Sequence, residues 1–246
     1  MEINQSLNIE TDESRWKDLY YVGGICGILV SVFTVLAIVI YFIWPYQPGL
    51  TSVSEIFATI QSDPFNGLMS LDFSMVFLTV LTIPFFVAIY FSTRKANESY
   101  ALLALVFGLI SCILAFFMRP IAEMFYLSGQ YAAATTDVAR NQYLAAGEAL
   151  SALFTGTTWI LYYIAFFIEL LISSLLMLKI KAFSKFTAFL GIGVSIGVVQ
   201  VLAVIIPDLA QITTIINLLC TFIWTIWNVL VAVTLFRLAR RPAVKS

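Results

Sequence analysis

One carboxylate, Glu169, stands near the middle of an apolar stretch that runs from Thr157 to Leu178. An ionisable group at bilayer depth is expensive and marks a functional site by default. On a helical wheel it shares a face with Thr158, Tyr162 and Ser173, all within roughly 60° of one another. A second polar face, Thr214, Asn217, Thr221, Thr225 and Asn228, recurs every three or four residues and covers roughly 80°. Gln200 joins these two faces from the apolar run between them. A lipid-facing helix carries no such face, so both are expected to turn toward the bundle interior or a wet cavity. That lining would hydrogen-bond the polar end of a hydrophobic or amphipathic small molecule. No Lys or Arg lies at the depth of Glu169, so it is expected to keep its proton and to bond across to Asn228, Gln200 or water. The competing reading is glue between helices, at about 0.6 kcal/mol per bond.

Composition says what must position these groups. The chain is 61% hydrophobic and 11% charged, against roughly 45–50% and about 25% in soluble domains. One aqueous core cannot hide that much apolar surface, so lipid is the expected solvent. The net charge of −1 argues against a nucleic-acid partner. The absence of His removes His metal sites, Ser-His and Cys-His pairs and His proton relays. Cys26, Cys112 and Cys220 lie far apart inside apolar runs and read as packed thiols. No catalytic residue, metal or cofactor is expected.

Six runs reach spanning length, at about 19–43, 70–92, 99–118, 157–178, 186–206 and 211–236. Aromatic residues gather at their ends: Trp16, Tyr20 and Tyr21, then Trp44 and Tyr46, then Trp159. Eleven Lys and Arg fall in the two tails and the 93–98 and 179–185 loops, against only Arg119 and Arg140 in the other loops. This bias predicts cytoplasmic N- and C-termini in the cell membrane. Residues 1–18 read as a polar tail, with Thr11-Asp12-Glu13 at the helix start, and not as a cleavable leader. Residues 237–246 form a basic tail. The Asn4 and Asn97 glycosylation matches fall on the inner side and are read as chance.

Two segments on the opposite side have content. In 45–71, Ser52 to Glu55 matches a capping box, and Val53, Ile56, Phe57 and Ile60 predict a short amphipathic helix at the outer interface. Asp63-Pro64 and Asn66-Gly67 read as turns after it. Residues 119–156 predict two helices, about 121–134 and 137–155, forming an extracytoplasmic cap in which Arg119, Glu123, Arg140 and Glu148 could pair. Arg119-Pro120 separates this cap from the third span. Pro84 should kink the second span, with Thr79 and Thr82 placed to soften the break. Asp72 reads as a helix cap. Gly23, Gly27 and Ser31, and Gly191/Ser195 with Gly193/Gly197, form small-residue rows for helix contact. Gly193-Val194-Ser195-Ile196-Gly197 spells GxSxG, but a chain without His offers no base for that elbow.

Leu71-Asp72, Ile83-Pro84-Phe85-Phe86, Arg94-Lys95, Leu127 to Thr136, Leu144 to Leu150, Phe183-Ser184-Lys185, Thr187-Ala188 and Gly191-Ile192 carry a resemblance. They resemble a family of prokaryotic six-helix integral membrane proteins classed as a domain of unknown function. The similarity covers about 70–246, with Gly129 to Ala134 its most specific part. It implies a single membrane domain and no particular activity.

The expectation is therefore an all-α polytopic bundle: six transmembrane helices over 19–236 with a helical cap. Membrane lipid, a small hydrophobic ligand and a homo-oligomer are the partners considered. Binding or transport of a small molecule is the leading function. The first alternative is a non-catalytic interaction, sensor or protective protein, with the cap and the Gly23/Gly27 row as contact surfaces. The second is an intramembrane enzyme, for which no nucleophile–base pair stands at readable spacing.

Overall fold

The computed structural model describes residues 16–43 and 51–240. The tail up to residue 15 with its Thr11-Asp12-Glu13 start signal, the Trp44 and Tyr46 belt, and residues 241–246 lie outside it. The described chain is helical, with no strand. Its helices are α1 (Lys17–Ile43), α2 (Val53–Ser62), α3 (Pro64–Ser70), α4 (Phe73–Thr93), α5 (Glu98–Phe117) and α6 (Ile121–Ala133). Then come α7 (Asp137–Ser151), α8 (Thr157–Met177), α9 (Lys185–Ser195), α10 (Leu202–Ile205) and α11 (Ala210–Ala239).

Six helical segments, carried by α1, α4, α5, α8, α9–α10 and α11, are long and apolar enough to cross a membrane. Their packing turns a soluble protein inside out. Val32, Val80, Leu102, Ile113, Ile215 and Ile226 point outward, while Thr34, Thr82, Ser111 and Ser173 are buried. The chain is a multi-pass membrane protein. The six spans form a ring in chain order: each packs on its predecessor and successor, and α11 closes the ring against α1.

Local sequence sets where the helices start. Ser52 Oγ accepts from the Glu55 amide, Asn97 Oδ1 from Tyr100, Thr136 Oγ1 from Ala139 and Ser184 Oγ from Thr187. Asn97 is thus a helix cap. Asn66-Gly67, expected as a turn, lies inside α3 instead. Asp63 caps that helix and Pro64 occupies its first turn, which together outweigh the turn signal. Gly67 also lets α3 sit against Ile60, only 2.7 Å from where a Cβ would stand. Helix α4 continues through Pro84. Thr79 and Thr82 donate to Met75 and Leu78, away from the Val80 carbonyl that Pro84 leaves unbonded.

Small residues sit where spans meet. A side chain at Gly23 would strike Ala88 of α4, and one at Gly27 would strike Phe85 of α4 and Ala232 of α11. Ser31 donates to Gly27 and to the Thr225 carbonyl of α11. The first span's small-residue row is consumed inside the ring and is not a surface for a partner.

The cap has a core of its own. Val53, Ile56, Phe57 and Ile60 of α2 are buried with Leu71 and Met124, and Tyr131 and Leu144 pack beside them. The apolar face of α2 therefore meets α6 and α7 rather than lipid. Between α7 and α8 the helix breaks through a 3₁₀ turn, Ala152–Phe154, and Gly156. A Cβ at Gly156 would stand 2.7 Å from the Ala152 carbonyl oxygen. The fifth span is interrupted as well: α9 passes into a 3₁₀ stretch, Ile196–Val201, before α10.

Candidate functional site

Glu169 sits on the inner face of α8 and is 1% exposed. Its Oε1 accepts from Ser173 Oγ at 2.8 Å, one turn on. Its Oε2 has no partner among the described residues. The side chain faces α5 and α4: a Cβ on Gly108 would stand 3.0 Å from Glu169 Cγ and 2.7 Å from the Phe86 ring. Gly108 thus makes room for the carboxyl. Nothing in the apolar sequence around it singled it out.

A second group of polar atoms collects where α8, α9 and α11 meet. Ser174 Oγ and Trp227 Nε1 both approach the position a Gly191 side chain would take, Trp227 Nε1 to 2.6 Å. Both are fully buried and neither finds a partner. Asn228 is buried beside Trp227 in sequence, with Nδ2 and Oδ1 both unmatched. Gln200 Oε1, within the 3₁₀ stretch, and Trp224 Nε1 are unmatched too. Each such group in a dry interior costs about 1–3 kcal/mol.

The expected bond from Glu169 to Asn228 or Gln200 is not made. Glu169 turns toward α5 and α4, whereas Asn228 rides on α11, which packs on α1 and α9. Phe85 and Trp227, with ring centroids 6.1 Å apart, belong to the core between these helices. Asn217 Nδ2 instead reaches Tyr163 Oη at 3.3 Å, joining α11 to α8. Thr221 and Thr225 donate to carbonyls of their own helix one turn back. Thr158 and Tyr162 are half-buried, and Tyr162 stacks on Phe166. Thr214, at the end of that polar face, is exposed. The two predicted faces therefore turn inward in large part, as two separate clusters and not one continuous lining. Ser174 was missed because the glycine it packs against, Gly191, lies on a third helix, whereas Trp227 borders the second polar face in the sequence.

The expected cap network is not formed either. Arg119 lies back along α5, donates from Nη1 to the Ala115 carbonyl at 2.8 Å and pairs with Asp72 at 3.6 Å. Its side chain is 4% exposed, and its Nε has no partner. The last carbonyls of a helix attract such a cation, which draws Arg119 away from Glu123. Arg140 pairs at 4.0 Å with Asp137 of its own helix. Glu123 and Glu148 are exposed. Asp72 does precede α4, but its side chain makes no capping bond and its φ is 61°. Asp is among the few residues that tolerate this left-handed conformation.

Two grooves open at the cap end. One, of about 420 Å³, runs between the start of α4, the end of α5 and α6. The other, of about 390 Å³, lies between the start of α2 and α7, with Glu148 in its wall. Neither is lined by Glu169 or Asn228. No group of three potential metal ligands occurs among the described residues. Comparison with family models, curated proteins and solved structures finds no match. Function must be read from these residues and their geometry.

Proposed function

We propose that this multi-pass membrane protein binds, and by binding moves or senses, a small amphipathic molecule inside the six-helix ring. The observation that carries the reading is the set of buried, unmatched polar atoms: Glu169 Oε2, Ser174 Oγ, Trp227 Nε1 and both amide atoms of Asn228. A bundle in lipid has no bulk water to satisfy such groups. A molecule carrying polar groups at two points of an apolar body would satisfy both clusters while keeping contact with Phe85, Phe86 and Leu170. The fifth span is the wall that would yield to admit it. It is the least buried of the six, at 22%, and its helix is interrupted at 196–201. The Lys and Arg bias supports a cell-membrane topology with the cap outside and both termini in the cytoplasm.

Native mass spectrometry of the purified full chain tests this. The wild type should retain a defined small molecule through gentle activation. Asn228→Leu removes two unmatched atoms at similar volume, so it should keep the fold while cutting retention about tenfold, the loss of roughly 1.4 kcal/mol. Glu169→Gln should cut it as well. Retention unaffected by both substitutions ends the reading.

Tight packing around the carboxyl favours a second reading, in which the interior polar groups only fix the helices. Phe86 is 2% exposed and Leu170 fully buried. The protein would then be a non-catalytic interaction partner. Indifference to Glu169→Gln together with co-purification of a defined protein distinguishes it.

A further inference from the structure

The larger cap-end groove combines a largely apolar wall with two charged side chains. Phe73 and Val76 come from the first turn of α4, and Phe116 from the last turn of α5. Toward the cap it is lined by Leu68, Ile121 and Phe125 together with the two charged residues Arg119 and Glu123. Arg119 is buried, held by Asp72 on one side, and keeps an Nε–H without a partner. Glu123 is exposed and makes no ion pair among the described residues. A volume of about 420 Å³ falls within the range of small-molecule sites, about 300–1,000 Å³.

The geometry points to a lipid site: a phospholipid with a primary ammonium, drawn from the cap-side leaflet, seats one acyl chain along Phe73, Val76 and Phe116. Its phosphate meets Arg119 and its ammonium meets Glu123. The charges select this headgroup. A purely anionic headgroup would find one guanidinium already paired with Asp72 and a second carboxylate, Glu123, in the same wall. A zwitterionic one gives each its complement. A primary ammonium also donates hydrogen bonds to a carboxylate, which a quaternary one cannot. This site shares no residue with the ring interior, so it stands or falls independently of the ligand proposed there.

The test is native mass spectrometry of the full chain in non-ionic detergent with dioleoyl phosphatidylethanolamine, phosphatidylcholine or phosphatidylglycerol at equal concentration. The wild type should retain one phosphatidylethanolamine about fivefold better than the other two, the scale of a partly exposed ion pair. Glu123→Gln, an exposed change, should erase the preference over phosphatidylglycerol. Ala122→Trp fills the groove from an exposed position and should lose retention of all three lipids. Equal retention of the three lipids by the wild type, a preference for phosphatidylglycerol, or retention unchanged in Ala122→Trp would overturn the proposal.

Discussion

At the scale of single residues, two glycines two positions apart on α9 have opposite surroundings. A methyl at Gly191 would run into Ser174 and Trp227, whereas nothing lies within 4 Å of one at Gly193. Gly191→Ala should therefore force α9 off α8 and α11 and lower stability by about 1–3 kcal/mol, the usual result of overpacking. Gly193→Ala should be neutral or stabilising by up to about 1 kcal/mol, through helix propensity alone. Thermal unfolding in detergent separates the two; equal midpoints would contradict this packing. Both residues read in the sequence as packing glycines. Which one bears the contact was not legible, because Ser174 and Trp227 reach it from other helices. Glu169 shows the same limit: its depth was legible from the apolar run, while its neighbour Gly108 was not.

At the scale of elements, the fifth span behaves unlike its neighbours. Its 3₁₀ stretch, Ile196–Val201, uses poorer hydrogen-bond geometry than an α-helix, and such stretches mark hinges or strain. Gly197 within it lies against Phe167 of α8 and Cys220 of α11. Its amides should exchange with deuterium faster than those of α8 and α11 at comparable depth. Equal protection would remove the hinge role. The apolar run predicted a continuous helix here, because periodicity reports which face is apolar and not which hydrogen-bond register the backbone takes. Capping chemistry read more faithfully. The Ser52 cap, a break just before Asp137 and the stop at Arg119-Pro120 are all local effects and all stand in the structure. Asn66-Gly67 misled because Asp63 and Pro64 had already started a helix.

At the scale of the whole molecule, spans and order were legible and neighbours were not. Hydropathy and length fix six crossings. Ring closure depends on Gly24 meeting Phe236 and Gly27 meeting Ala232, at separations of about 200 residues, which no local pattern encodes. Closure also sets the order of assembly. Span one leaves the ribosome first, yet half of its packing surface, including the second acceptor for Ser31, is made last by α11. The nascent chain must hold this helix in lipid through synthesis of four more crossings. A chain truncated after Leu209 should therefore be inserted but short-lived, with pulse-chase half-life well below that of the full chain. Equal half-lives would mean that the first five crossings are self-sufficient. On this account the carboxyl-terminal helix works as a latch, and quality-control proteases would survey the gap it fills.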